Sequence, residues 1–181
     1  RFLRELRARG FYDDALVVFL ADHGEEFLDH GQWLHGRSVF DELVRVPLLV
    51  KWPGRRGAGQ RVAEQVQVVD VLPTVLQSLG LPLPPPEAIV GRPLPAGARA
   101  PEGEREALSE ISHRGIVAFG LRTSADKYVR RFSPESDELY FDLRQDPGEK
   151  TSIADRHPQR VRLLKAQAEA GMGLRTLIHM D

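Results

Sequence analysis

The feature that most constrains the fold is the apolar run Ala15–Leu20, which ends in the polar pair Asp22-His23. An apolar run of this length with β-branched residues predicts a buried parallel strand. Open α/β sheets bind ligands at the carboxyl ends of their strands, where Asp22 and His23 would lie. A carboxylate oxygen and an imidazole nitrogen both bind divalent cations. The run therefore predicts half of a metal site, and two further His-Gly pairs begin nearby at His30 and His35.

The first eighty residues predict helix, strand, long loop, strand and helix in that order. The second strand is predicted over 46–52, after a helical turn within 38–44. A helix is predicted over 70–79 with Asp70 as its N-cap and a proline in its first turn. The many prolines and glycines of 81–103 predict an irregular connection.

The pattern changes after residue 105 to short segments separated by turn residues, which predicts a small antiparallel sheet. Its four strands are predicted over 107–111, 115–122, 127–132 and 138–143. An amphipathic helix is predicted over 159–180, interrupted near Gly171 and Gly173.

Composition excludes some classes of partner. Charges nearly balance, at a net −1, so the sequence gives no electrostatic basis for binding nucleic acid or an anionic membrane surface. No apolar stretch approaches the roughly 20 residues that a membrane-spanning helix needs. The chain has no Cys, which excludes disulfides and leaves the cellular location open between cytoplasm and an exported compartment.

Two separated motifs carry a resemblance to a known family. The first spans 12–54 and reads YDDALVVFLADHGEEFLDHGQWLHGRSVFDELVRVPLLVKWPG, and the second spans 138–149 and reads ELYFDLRQDPGE. Both resemble the sulfatase branch of the alkaline-phosphatase superfamily, in the expected order. The resemblance implies an α/β fold: residues 1–105 as the C-terminal part of the catalytic mixed sheet with flanking helices, and 106–181 as a small subdomain with an antiparallel sheet and a C-terminal helix.

The resemblance also implies roles for four residues. Asp22 and His23 match two of the family's metal ligands. His35 matches the His or Lys that contacts the sulfuryl or phosphoryl oxygens and assists the leaving group. His30 lies where some members have Glu-His-Gly and others lack the His, and it is a candidate substrate-binding residue. Calcium is the expected metal, with Mn²⁺ and Zn²⁺ as alternatives.

The family's nucleophile does not match anything in these residues. In sulfatases it is a formylglycine made from Cys or Ser in a short Pro/Arg-containing motif, accompanied by a pair of Asp metal ligands. The chain has no such motif, and it begins at Arg1 within a helical stripe. We therefore expect a C-terminal part of a longer protein, inactive by itself, with the nucleophile in an N-terminal part.

Three functions stay open on the sequence. The first is hydrolysis of sulfate esters, of small molecules or glycans, as in arylsulfatases. The second is a phosphodiesterase or phosphonate monoester hydrolase of the same superfamily. The third is a degenerate binding module without activity. Adjacent Glu25 and Glu26 are expected to be solvated or capping, and Trp33 either lines a pocket or packs its loop.

Overall fold

The computed structural model describes residues 1–85, 88–96 and 105–172. Its described residues form two compact units, and the chain passes between them more than once. One unit contains Arg1–Asp22 and Pro47–Gly103, and the other contains His23–Val46 and Glu104–Asp181. The division into a catalytic domain and a subdomain at residue 105 stays a prediction. No helix in the described part of the chain is long and apolar enough to cross a membrane.

The first unit contains two helices and a two-stranded sheet. Its elements are α1 (Phe2–Ala8), β1 (Val17–Leu20), β4 (Leu48–Lys51) and α3 (Val71–Ser78), with 3-10 turns at Pro53–Arg55 and Val68–Asp70. Lys51 donates to the carbonyl oxygens of Asp13, at 2.7 Å, and Ala15, at 3.0 Å, which ties β4 to the segment before β1. The predicted connection over 81–103 has neither helix nor strand in its described residues, 81–85 and 88–96.

The expectation of a buried parallel strand before Asp22 is wrong for the described residues. β1 pairs with β4 in antiparallel register, with Phe19 opposite Leu49. These two partners lie on one face of the ribbon and are 63% and 59% exposed. An apolar run predicts a strand, but it does not determine the direction of the neighbouring strand or what covers each face.

Asp70 is the N-cap of α3, as predicted, but its side chain makes no capping hydrogen bond to this helix. Its carboxylate accepts hydrogen bonds from the backbone N–H of Gln67, at 2.8 Å, and of Arg92, at 3.0 Å. The side chain of Thr74 meanwhile accepts from the N–H of Leu94 at 2.8 Å. Asp70 and Thr74 therefore satisfy the backbone of the segment that follows α3.

The second unit is built on a four-stranded antiparallel sheet in the order β5 to β8. The strands are β5 (Ala107–His113), β6 (Ile116–Arg122), β7 (Asp126–Ser133) and β8 (Asp137–Asp142), followed by a 3-10 turn (Ala154–Arg156) and α4 (Pro158–Met172). All four predicted strands and the start of the last helix are confirmed within a few residues. The predicted end of that helix, 173–180, lies outside the described residues.

Both faces of this sheet are covered. Because neighbouring side chains on a strand point to opposite faces, Tyr128 and Val129 belong to different cores. Tyr128 packs with the α4 residues Val161 and Leu164. Val129 packs on the other face against Phe40, in the segment that precedes α2 (Asp41–Val44). The sheet therefore supports the loop that carries the candidate active-site residues.

The environment of Asp126 indicates how the stability of this unit changes as the pH falls. Its carboxylate accepts hydrogen bonds from Arg160 and Thr123, each at 2.6 Å, and from Tyr140 at 3.0 Å. Burial alone would raise the pKa of Asp126, but the hydrogen bonds from Arg160 and Thr123 outweigh it and hold the pKa below its ordinary value of 3.8. A lowered carboxyl pKa contributes stability above pH 3.8, and this contribution is lost as pH falls through the folded-state pKa.

We therefore expect Asp126→Asn to lower the melting temperature at pH 7 and to flatten its decline below about pH 4. Thermal melts of the intact protein at pH 3 to 7 measure this. Asp155→Asn, at an exposed position, is the matched control. Parallel melting curves for the Asp126 variant and the wild type would contradict the expectation.

Candidate active site

Asp22 and His23 follow β1 after one intervening residue, Ala21, and both side chains are exposed. Nδ1 of His23 donates a 2.8 Å hydrogen bond to the carbonyl oxygen of Gly24. In the neutral ring the lone pair then lies on Nε2, as in metal-binding histidines whose other nitrogen donates to a backbone carbonyl. A carboxylate and an imidazole in this tautomer are both ligand types for a divalent cation, and the metal-binding role of this pair stays a prediction.

The structure brings His35 next to His23, although twelve positions separate them in the sequence. The two ring centroids are 4.1 Å apart, and the rings are inclined by 34°. Nδ1 of His35 lies 3.1 Å from Oε1 of Glu25, and the side chain of His35 remains 53% exposed. The predicted metal ligand and the predicted catalytic histidine are therefore neighbours, and Glu25 orients the second of them.

His35 reaches this position through a short hairpin. Strands β2 (Glu26–Phe27) and β3 (Trp33–Leu34) pair in antiparallel register, and His35 is the next residue after β3. Phe27 and Trp33 pack edge to face at 5.9 Å, and both rings are more than half exposed. Trp33 therefore packs its loop, and its exposure leaves the pocket-lining role open.

Glu26 differs from the sequence expectation in one respect. It is completely buried, not solvated. Its Oε1 accepts hydrogen bonds from the backbone N–H of His30, at 2.8 Å, and of Gln32, at 2.9 Å. The expectation of a capping role fits this geometry, because the carboxylate satisfies the backbone of the turn between β2 and β3.

His30 lies in that same turn, and both of its ring nitrogens have partners. Nδ1 is 2.6 Å from Oε1 of Glu42, and Nε2 is 3.0 Å from the carbonyl oxygen of Glu149. The ring stacks on Phe40 at 3.8 Å, and its side chain is 14% exposed. Direct contact between His30 and a substrate would require one of these two hydrogen bonds to break. The substrate-binding role of His30 stays a prediction.

A buried ionic network lies beside His30. Nζ of Lys127, which is 1% exposed, is 2.9 Å from Asp41 and 2.7 Å from Glu149. Arg122 also donates to Asp41 at 3.1 Å. Burial alone would raise the pKa of Asp41, but Lys127 and Arg122 outweigh it and lower the pKa. Glu149 is enclosed more fully, and burial raises its pKa despite the contact with Lys127.

The partners of His30 and the residues of the buried ionic network could not be identified from their spacing in the sequence. Glu149 lies 119 positions from His30 and meets it only because the loop packs on the sheet. Glu42 and Lys127 follow no motif that marks them, and Asp146-Pro147-Gly148, before Glu149, signals only a turn.

A second acid–histidine group has the spacing of a metal site. One ligand atom from each of Glu26, His30 and Glu42 lies within 4.8 Å of the others. The 2.6 Å distance between His30 and Glu42 is that of a charge-assisted hydrogen bond, which a proton explains without a metal. Asp22 and His23 are therefore the better candidates for a cation.

Comparisons with known proteins concern the family and the fold. Residues 1–81 match the family model described as Sulfatase. Arylsulfatase K of Bos taurus is 32% identical over 167 residues, which cover 85% of this chain and 30% of the relative.

Solved structures confirm the α/β fold. The structure of BT4656 in complex with its substrate D-glucosamine-2-N,6-O-disulfate is similar with a TM-score of 0.82 at 23% identity, covering 95% of this chain and 37% of that one. The phosphonate monoester hydrolase of Agrobacterium radiobacter is similar with a TM-score of 0.70 at 27% identity, covering 93% and 38%. This chain thus spans less than two fifths of each of these three relatives. By motif, sequence similarity and fold, the chain belongs to the sulfatase family.

Proposed function

We propose that the intact protein containing this chain hydrolyses sulfate esters in a metal-dependent reaction. The observation that carries the proposal is the contact between the rings of His23 and His35, whose centroids are 4.1 Å apart, shortly after β1 ends at Leu20. Cleavage of a sulfate ester needs positive charge near the ester oxygens and a proton for the departing alcohol. A metal ligand beside a proton donor supports both needs at one place.

Asp22 and His23 would hold the cation. Calcium is our first choice because a carboxylate offers the oxygen ligands it prefers, and the imidazole also admits Mn²⁺ or Zn²⁺. When bound, the cation supplies charge that neutralises the ester's negative oxygens.

His35 would donate its proton to the ester oxygen as the bond from that oxygen to sulfur breaks, so that the alcohol leaves neutral. An imidazole suits this task because it exchanges protons near neutral pH. Glu25, 3.1 Å from Nδ1, would keep the ring oriented with Nε2 available for the transfer. We place the nucleophile, a formylglycine in sulfatases, outside these 181 residues, which contain neither a Cys nor the Pro/Arg-containing motif.

The substrate class we propose is a sulfate ester of a glycan or a small molecule. BT4656 acts on a sulfated sugar, and its structure resembles this chain over 95% of the chain's length. The second candidate is hydrolysis of phosphonate monoesters, which the similarity to the Agrobacterium radiobacter enzyme favours.

The test compares kcat/KM of the intact protein for 4-nitrophenyl sulfate and for a 4-nitrophenyl phosphonate monoester. We expect the sulfate to be the better substrate and the isolated 181-residue chain to be inactive with both. A preference for the phosphonate would establish the second candidate instead. No hydrolysis of either ester by the intact protein would favour a binding module.

A further inference from the structure

His30 is enclosed between two acceptors that lie far apart in the sequence. Glu42 Oε1 is 2.6 Å from Nδ1, and the Glu149 carbonyl oxygen is 3.0 Å from Nε2. Phe40 stacks on the ring with an interplanar angle of only 11°, which fixes the plane in which both bonds can form. These three contacts therefore fix the position and orientation of the His30 ring.

Both ring nitrogens of His30 are hydrogen-bonded. A carbonyl oxygen can only accept, so Nε2 donates to Glu149, while a short hydrogen bond joins Nδ1 to the carboxyl group of Glu42. Lys127 pairs with a different oxygen of Glu149 and does not contact the ring in any described interaction. The ring of His30 is therefore held at both of its nitrogens.

The same turn determines where His35 lies. Glu26 begins β2 and binds the backbone N–H of His30 and Gln32, and it stands opposite Leu34, the residue before His35. A two-residue pairing between β2 and β3 is too short to be stable alone. The anchors of His30 on Glu42 and Glu149 connect this hairpin to α2 and to the turn after β8.

We propose that His30 is a positioning residue, whose ring, held between Glu42 and Glu149, fixes the β2–β3 hairpin and thereby the placement of His35. The inference rests on the proposed function, because it assigns His30 an effect on the reaction only through the placement of His35. It requires no contact between His30 and the substrate.

The test uses His30→Gln in the intact protein, with His157→Gln, at an exposed position, as the matched control. A catalytic group displaced by about 1 Å typically costs about a hundredfold in rate. We expect a loss of that size in kcat with an alkyl sulfate, little change in KM, and a much smaller loss with a 4-nitrophenyl ester, whose leaving group needs no proton. Metal content should be unchanged.

A double-mutant cycle with His35→Ala separates positioning from general damage. If His30 acts through His35, the double variant should be no slower than His35→Ala alone. Equal losses with both esters, or losses that multiply in the double variant, would overturn the proposal. Loss of bound metal in His30→Gln would also overturn it, because Glu26, His30 and Glu42 would then be a metal site.

Glu42→Gln provides a second route if His30→Gln fails to fold. It keeps the size of the side chain and an acceptor oxygen while removing the charge, so the same dependence on the leaving group should appear in weaker form. An unchanged alkyl ester rate in Glu42→Gln would overturn the proposal. If His35→Ala itself has a normal alkyl ester rate, the proposed function fails. If His35→Ala loses alkyl ester activity as expected while His30→Gln and Glu42→Gln keep theirs, only the present inference is refuted.

Discussion

Replacing His35 with Ala in the intact protein is expected to lower kcat for an alkyl sulfate by about a hundred- to ten-thousand-fold, the usual contribution of a general acid. The side chain is 53% exposed, so its removal should leave the melting temperature almost unchanged. The neighbouring His23 cannot substitute for it, because we propose that Nε2 of His23 binds the cation. Steady-state kinetics and a thermal melt of the same preparation measure the two effects.

The leaving group provides the internal control for His35. A 4-nitrophenyl ester releases a stable anion without protonation, so the variant should retain most of its rate with that substrate. His157→Ala, at an exposed position outside the candidate site, should match the wild type with both esters. An unchanged rate of His35→Ala with the alkyl ester would exclude the proton-donor role.

Much of the second unit could be predicted from local pattern. The strand Asp137–Asp142 contains the adjacent aromatic residues Tyr140 and Phe141 and is followed by the turn at Asp146-Pro147-Gly148. A short run with aromatic residues that is bounded by turn residues is the signal of a strand in an antiparallel sheet. The last helix begins at Pro158, one residue before its predicted start.

The rest depends on contacts that a single sequence does not encode in its spacing. The run before Asp22 predicts a strand, but its antiparallel pairing with β4 and the exposure of Phe19 follow from what lies beside it. Likewise Asp22, His23 and His35 could be identified from a motif. The carboxylates of Glu26 and Glu42 acquire their roles only when the loop folds onto the sheet.

Replacing Asp22 with Ala is expected to have the other large effect. Loss of a residue that merely orients a metal ligand costs about 10- to 100-fold in metal affinity or activity, and loss of a ligand itself should exceed that. The exposed position of Asp22 makes its carboxylate dispensable for packing, so the fold should persist. Circular dichroism and sulfate ester hydrolysis by the intact variant measure both consequences.

The metal content of the intact protein tests the central claim most directly, namely that Asp22 and His23 hold the cation of a sulfate ester hydrolase. Mass spectrometry of the purified wild type, of Asp22→Ala and of Asp14→Ala, a control at an exposed position, gives the metal bound per protein. We predict that wild type and Asp14→Ala carry the same divalent metal, calcium first, and that Asp22→Ala has lost it while remaining folded. Unchanged metal in Asp22→Ala would contradict the account.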